Sequence, residues 1–182
     1  MLEAVTFTVV TLGLAFVSRA SLRKPGSHGF YRFIAWECML GLFVMNMRVW
    51  YEDTGAPNQI MAGVLFFISL LLVVFGVVLL KVSGKPDSSR NDVPMFEFEK
   101  TTALVTSGIY RYIRHPMYSS LIFLGWGFFC KQPSIAGVIL AVAASLFMIA
   151  TARAEESENI NYFGDVYREY MKRSKMFVPF IL

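Results

Sequence analysis

The chain has 182 residues, of which 55% are hydrophobic and 16% are charged, and its mean hydropathy is +0.52. A soluble domain of this length is rarely so apolar, so the composition excludes an ordinary water-soluble protein and indicates a multi-pass membrane protein. The net charge of +4 arises from basic residues in loops, which favours contact with the cytoplasm or anionic lipid headgroups over nucleic acid. The two cysteines, Cys38 and Cys130, lie in apolar runs without metal-ligand spacing, so no metal site is predicted.

Three apolar runs near the N-terminus predict membrane-spanning helices over residues 2–18, 30–47 and 60–80. No basic segment precedes the first run, so we expect no cleavable signal peptide. Glu37 stands in the middle of the second run, where a lone carboxylate is costly. We expect it either to face the bundle interior or to pair with Arg32 or Arg48.

A polar connector over residues 81–100 leads into a basic loop over residues 104–118. Gly108 permits a turn that a side chain would disfavour, and Pro116 keeps His115 out of the helical region. The next helix is therefore predicted to start at Pro116. Its N-terminus would attract an anionic ligand group. The alternative is an ordinary basic loop that follows the positive-inside rule.

A short apolar run over residues 118–130, a turn over 131–134 and a longer run over 135–151 predict a helix hairpin. The longer helix could continue through residues 153–158. The loop after the first span, the central loop and the C-terminus are basic. The positive-inside rule therefore predicts about five transmembrane helices, with the N-terminus outside and the C-terminus cytoplasmic. The polar residues over 104–118 and 153–170 would then lie on the same cytoplasmic side.

The charged residues late in this helix form a second polar cluster. Glu155 and Glu156 stand about 100° apart around a helix, so we expect them to face different partners. Arg153 and Glu156, three residues apart, could pair on the helix surface. Residues 159–173 predict an amphipathic cytoplasmic helix that either covers a site or anchors the terminus. Its apolar face consists of Phe163, Val166, Tyr167, Tyr170 and Met171.

The two polar clusters and the hairpin between them form one pattern. It reads G-x-Y-x-x-x-R-H-P-x-Y, two helices, E-E, F-G-x-x-Y-x-x-Y and a final P-F-I. The residues that carry it are Gly108, Tyr110, Arg114, His115, Pro116, Tyr118, Glu155, Glu156, Phe163, Gly164, Tyr167, Tyr170 and Pro179. This pattern resembles the isoprenylcysteine carboxyl methyltransferase and phospholipid methyltransferase superfamily of integral membrane enzymes. The preceding run over residues 104–108 looks particularly like the isoprenylcysteine branch.

The resemblance implies a binding site for S-adenosylmethionine. The residues that would bind this cofactor are Ala103, Leu104, Val105, Tyr110, His115, Pro116, Met117, Tyr118 and Glu155. In such enzymes an arginine about four residues before the glutamate commonly orients the substrate. Here that position is Thr151, and the nearest arginine is Arg153. A polar residue upstream often contacts the cofactor, but its counterparts here are Met95 and Phe96.

We predict that Arg153 and Glu156 are the catalytic residues and that Arg153 also binds the substrate. Methyl transfer is an in-line displacement, so alignment of the reactants can supply much of the rate. A carboxylate acceptor would need only a cation such as Arg153. An amine acceptor would need a proton acceptor, for which Glu156 or His115 is the candidate.

The predicted protein is an all-α polytopic membrane bundle that forms one domain over residues 1–182. Its parts are three spans over residues 1–80, the cofactor loop over residues 81–118, the hairpin over residues 118–158 and a cytoplasmic segment over residues 159–182. The predicted function is S-adenosylmethionine-dependent methylation of a membrane amphiphile. The favoured methyl acceptor is an isoprenylcysteine-like carboxylate, and the alternative acceptor is a phosphatidylethanolamine-type amine. Alternatives from other classes are a reductase-like scaffold and a non-catalytic membrane adaptor. The expected partners are a lipidic or prenylated small molecule and membrane lipids.

Overall fold

The computed structural model describes residues 1–87, 96 and 99–179. Within these residues it contains seven α-helices, one 3₁₀ turn and two isolated β-bridges, which confirms the all-α prediction. Met95, which the sequence aligns with a cofactor contact, lies outside the described residues, as does the end of the P-F-I motif. The elements are α1 (Leu2–Val17), α2 (Arg19–Leu22), α3 (His28–Met45), α4 (Pro57–Ser83), the 3₁₀ turn (Gly108–Arg111), α5 (Pro116–Lys131), α6 (Ile135–Phe163) and α7 (Asp165–Arg173).

Two helices, α4 and α6, are long and apolar enough to cross a membrane. Helix α1 is also apolar but has only 16 residues, and α3 carries more polar side chains. A full crossing of the hydrocarbon core takes about 20 helical residues. The predicted count of five crossings and the orientation therefore stay predictions.

Local sequence signals account for where the helices begin. Prolines open α4 and α5, at positions where the missing N–H group costs no helical hydrogen bond. The start of α5 at Pro116 confirms the prediction. Serine side chains cap two other helices: Ser27 Oγ accepts a hydrogen bond from Phe30 N at 3.3 Å, and Ser134 Oγ accepts one from Gly137 N at 3.0 Å.

The two hairpin helices pack mainly against the N-terminal helices rather than against each other. Helix α5 lies along α4, and α6 lies along α3. Small residues permit the α4–α5 approach, since a Cβ atom on Gly127 would lie 2.5 Å from the ring of Phe66. One buried cluster joins α3, α5, α6 and the C-terminal segment through Ala35, Tyr118, Met148, Ala152 and Phe177. This core contacts the loop through His115, whose ring lies against those of Tyr118 and Phe177.

Glu37 has a different partner from the two arginines that the sequence suggested. Its Oε2 atom accepts a hydrogen bond of 2.7 Å from Thr11 Oγ1 of α1. Arg32 instead pairs with Glu99, and Arg48 pairs with Glu3. The predicted arginine pairings are wrong because Arg32 points towards the connector, while Arg48 follows the end of α3 and reaches the first turn of α1.

The C-terminal helix is shorter than the sequence predicted. Helix α6 continues unbroken to Phe163 and ends where Gly164 adopts φ 64° and ψ −138°. The chain changes direction there, so the apolar face predicted across residues 159–173 is divided between two helices. Tyr167 and Tyr170 are buried, but Val166 is 66% exposed and does not belong to the packed face.

Candidate functional site

The loop before α5 folds back onto α4. Gly108 adopts φ 58°, a left-handed conformation that side chains disfavour. A Cβ atom there would also lie 2.6 Å from Leu79 Cδ1, a terminal methyl group that can shift, so the backbone conformation is what favours glycine here. Two residues later, Tyr110 Oη donates a hydrogen bond of 3.3 Å to the carbonyl of Gly76. The 3₁₀ turn is therefore held against one side of α4.

The C-terminal segment holds this loop from the other side. The backbone N–H of Arg114 donates to the carbonyl of Lys175 at 2.8 Å, and that of His115 donates to Met176 at 3.1 Å. In return, Lys175 N donates to the carbonyl of Tyr112 at 2.9 Å. These bonds satisfy backbone groups that the proline corner would otherwise leave unpaired. These backbone hydrogen bonds were not predicted from the sequence, because no local pattern marks a pairing between distant segments.

His115 connects the loop to α6. Its Nδ1 atom lies 3.8 Å from Glu155 Oε2, and its Nε2 atom lies 3.2 Å from Glu156 Oε1. The prediction that the two polar clusters meet is confirmed. The prediction that the two glutamates face different partners is wrong, because both carboxylates contact His115. Each carboxylate meets a different nitrogen of the imidazole ring, so the two side chains can leave the helix in different directions and still reach the same residue. Tyr118 stacks on the ring, with centroids 5.4 Å apart.

Glu156 is buried in a cationic environment. Its Oε1 atom lies 2.7 Å from Arg114 Nε, and Arg114 also donates to the carbonyls of Met171, at 3.2 Å, and Ser174. The suggested surface pair between Arg153 and Glu156 is therefore wrong. Glu156 turns inward towards Arg114, whereas the side chain of Arg153 is exposed.

A pocket lies beside His115, between the loop, α6 and α7. It contains about 540 Å³ of unoccupied space, part of it open to solvent. A smaller cavity of about 270 Å³ shares most of its walls and extends between α4 and α5. Together the walls include Leu80, Glu99, Thr101, Leu104, Val105, Tyr110, Arg114, His115, Pro116, Met117, Tyr118, Glu155, Asn159, Phe163, Tyr167 and Tyr170.

Most of the residues predicted to bind the cofactor line these two cavities. They are Leu104, Val105, Tyr110, His115, Pro116, Met117, Tyr118 and Glu155. Ala103 does not line either cavity, and its backbone N–H donates to the carbonyl of Gly84 at 3.1 Å. Arg153 and Glu156, the predicted catalytic residues, are also absent from the walls. Thr151, at the position of the expected arginine, is fully buried and donates to the carbonyl of Phe147.

Glu99 is a pocket residue that sequence reasoning did not find. Its Oε1 atom accepts a 2.5 Å hydrogen bond from Arg32 of α3, and its Oε2 atom accepts one from Phe96 N at 3.1 Å. Arg32 is buried, and its guanidinium lies 4.5 Å from the ring centre of Phe96. Helix α3 thereby positions a second carboxylate in the pocket. No spacing in the sequence connects Arg32 with Glu99.

Buried tyrosines cover the pocket. Burial raises the pKa of the hydroxyls of Tyr110, Tyr167 and Tyr170 well above its ordinary value, so these groups stay protonated even at alkaline pH, where a free tyrosine ionises. Tyr170 Oη donates a hydrogen bond of 2.6 Å to the carbonyl of Tyr110, joining α7 to the loop. The two α7 tyrosines belong to the sequence motif, and their spacing could have identified them as pocket residues.

A family comparison covers most of the elements that build this pocket. The phospholipid methyltransferase family matches residues 59–166, which is more than half of the chain. The chain belongs to this family. The match runs from α4 to the beginning of α7, so α1 to α3, including the Arg32 that holds Glu99, lie outside it.

Individual relatives carry names of methyltransferases. The protein-S-isoprenylcysteine O-methyltransferase of Rattus norvegicus is 36% identical over 116 residues, which cover 62% of this chain and 40% of that protein. Its namesake from Xenopus laevis is 33% identical over 134 residues, or 71% of this chain and 46% of that protein. The methanethiol S-methyltransferase of Pseudomonas deceptionensis is 22% identical over 141 residues, covering 74% of this chain and 51% of that protein. The chain therefore spans less than half the length of the rat and frog relatives. No solved structure gives a significant match.

Proposed function

We propose that this member of the phospholipid methyltransferase family is an S-adenosylmethionine-dependent methyltransferase that acts on a membrane-embedded amphiphile. The observation that carries the proposal is the meeting of His115 and Glu155 in one pocket with a tyrosine-rich cover. The names of the relatives support the same reaction class. One fold supports many functions, so the chemistry of the pocket walls is what distinguishes them.

The charges in the walls fit a ligand with cationic groups. Arg114 pairs with Glu156, and Glu99 pairs with Arg32, so each of these charges is largely cancelled by its partner. Among the charged wall residues that the structure describes, Glu155 has no arginine partner within salt-bridge distance. The pocket thus keeps negative character at the end of α6. It suits the amino and sulfonium groups of S-adenosylmethionine, which when bound supplies an electrophilic methyl group.

The remaining groups of such a ligand also find complementary side chains. Glu155 and Glu99 offer acceptor oxygens for an amino group or ribose hydroxyls. A carboxylate fits beside the N-terminus of α5, where the positive end of the helix dipole adds to the guanidinium of Arg114. The rings of Tyr110 and Tyr167 provide flat surfaces for the adenine. Glu156 does not line the pocket, so we assign it a positioning role through Arg114 and His115 instead of the catalytic role that the sequence suggested.

The acceptor is proposed to be an isoprenylcysteine-like carboxylate that enters from the side of the bilayer. The smaller cavity extends between α4 and α5, with Leu80 and Met117 as apolar walls. A carboxylate acceptor loses no proton on methylation, so the chain needs only to align it and exclude water. An amine acceptor would require a base at the reacting nitrogen, and Glu155 and Glu99 are the carboxylates that line the pocket.

Binding and turnover can be tested separately. Purified protein in detergent is titrated calorimetrically with S-adenosylhomocysteine, the demethylated cofactor, and we expect saturable binding. Labelled cofactor is then supplied with a prenylcysteine analogue, with phosphatidylethanolamine or with methanethiol. Transfer to the prenylcysteine carboxylate supports the proposal. Absence of cofactor binding contradicts the enzyme assignment, whereas binding with transfer only to the amine or thiol would change the acceptor alone.

A further inference from the structure

Arg114 also lines a second groove, on the outer side of α6. This groove shares no other wall residue with the two cofactor cavities. It is open and contains about 780 Å³ of unoccupied space. Its walls include Ile149, Arg153, Met171, Lys175 and Met176. Cationic side chains therefore stand beside an apolar floor, and the cofactor proposal uses none of these five residues.

The groove has an uncompensated positive charge. Arg153 and Lys175 are exposed, and among the described residues no carboxylate lies within salt-bridge distance of either. The acidic residues at this end of the molecule have other partners. Glu155 and Glu156 face His115, Glu158 pairs with His28, and on α7 Asp165 pairs with Arg168 and Glu169 with Lys172. An anionic ligand would thus meet two cations without displacing an existing ion pair.

An exposed apolar stripe on α6 leads to these cations. Ile139, Val142 and Leu146 are 62%, 43% and 60% exposed, and Ile149 follows them in the groove wall. Steps of three and four residues place these side chains and Arg153 on one face of the helix. From Ile139 to Ile149 the helix rises about 15 Å, which is half of a hydrocarbon core about 30 Å thick. The stripe has the length of one lipid acyl chain.

We propose that this groove binds an anionic glycerophospholipid. Its phosphate lies between Arg153 and Lys175, and its acyl chain follows the stripe from Ile149 to Ile139. An anionic headgroup fits better than a zwitterionic one, because a choline group would bring a third positive charge to the two cations. The site is distinct from the cofactor pocket, and it assigns Arg153 to a bound lipid instead of to the methyl acceptor.

The test measures lipid binding without any methyl donor. Wild-type protein in detergent is titrated with phosphatidylglycerol and with phosphatidylcholine of the same chain length, and bound lipid is counted by native mass spectrometry. R153Q/K175Q should bind phosphatidylglycerol roughly 30-fold more weakly, since each cation near a lipid surface contributes about a factor of five. The matched control is R168Q/K172Q, which removes the same charge from paired, exposed residues of α7 and should leave the affinity unchanged. Leu146→Asn tests the stripe and should weaken binding without altering the charge of the groove.

Three results would overturn this assignment. Wild-type protein could bind both lipids equally well, the two double variants could lose the same affinity, or inorganic phosphate could displace the lipid at a similar concentration. The last result would indicate a site for free phosphate. Because no cofactor enters the experiment, a failure here leaves the methyltransferase proposal intact. Conversely, loss of S-adenosylhomocysteine binding would not affect the lipid result.

Discussion

Nδ1 of His115 lies 3.8 Å from Oε2 of Glu155, although one residue precedes α5 and the other stands late in α6. The same ring reaches Glu156 through its other nitrogen. One imidazole thereby connects the loop to α6. The two glutamates nevertheless differ in environment, because Glu155 lines the pocket and Glu156 is buried against Arg114. Substitution of Glu155 should therefore mainly affect cofactor binding, whereas substitution of Glu156 should mainly affect stability.

Glu155→Gln should weaken S-adenosylhomocysteine binding by about tenfold or more, because a charged acceptor contributes roughly 1.5–3 kcal/mol to a hydrogen bond. The protein should remain folded, since Glu155 keeps a side chain of the same size. Calorimetric titration measures the change in affinity. Glu169→Gln is the control, because Glu169 is exposed and pairs only with Lys172 at the surface. Equal affinity of wild type and Glu155→Gln would remove Glu155 from the cofactor site.

Glu156→Gln should mainly reduce stability. The substitution leaves the buried guanidinium of Arg114 without its carboxylate, which typically costs about 3–5 kcal/mol. Denaturant unfolding in detergent, followed by tryptophan fluorescence, measures the loss in the free energy of unfolding. A stable protein that binds the cofactor normally but has lost turnover would instead indicate the catalytic role predicted for Glu156 from sequence.

The pair between Arg32 and Glu99 should couple α3 to cofactor affinity. Arg32→Gln leaves the Glu99 carboxylate without the cation that orients it, and Glu99→Gln removes the charge itself. A double-mutant cycle on S-adenosylhomocysteine binding should show an interaction free energy of about 0.5–3 kcal/mol between the two positions. Strictly additive effects would mean that Arg32 does not act through Glu99. Arg48→Gln with Glu3→Gln is the matched exposed pair, and we expect it to leave the affinity unchanged.

Gly164→Ala should loosen α7 and weaken cofactor binding. A side chain at φ 64° and ψ −138° is strained by about 1–3 kcal/mol, so the turn between α6 and α7 becomes harder to form. Hydrogen exchange should show faster exchange of the α7 amides around Tyr167 and Tyr170. Gly13→Ala is the control, because Gly13 lies inside α1 with open space around its position. Unchanged exchange in α7 would contradict a structural need for glycine at position 164.

Alkaline pH should unfold the protein through its buried tyrosines. Because burial raises the pKa of Tyr110, Tyr167 and Tyr170 in the folded state, these hydroxyls stay protonated when the unfolded chain ionises. Their stabilising contribution is complete below about pH 10 and decreases above it, by about 1.4 kcal/mol per pH unit for each tyrosine. Tyr167→Phe should make this decrease shallower in denaturant unfolding measured at several pH values. Tyr51→Phe, at a position 85% exposed, should leave it unchanged.

Local signals explain which parts of this structure could be predicted. Pro116 starts α5, and the long apolar run after Ser134 continues as α6, because proline and serine at a helix start act through neighbouring backbone groups. Most of the residues that the family resemblance assigned to the cofactor also line the two adjoining cavities. The break at Gly164 was missed, because glycine within an apolar periodic segment does not by itself show where a helix ends.

The sequence by itself determined that the chain is apolar and helical and that its polar chemistry is concentrated before α5 and at the end of α6. Only the tertiary structure decided that both glutamates reach His115, that Glu156 meets Arg114, and that Arg32 brings Glu99 to the site. The physical reason is that hydropathy and capping depend on neighbours along the chain. Ion pairs depend on how the helices are rotated and packed, and many rotations satisfy the same apolar pattern.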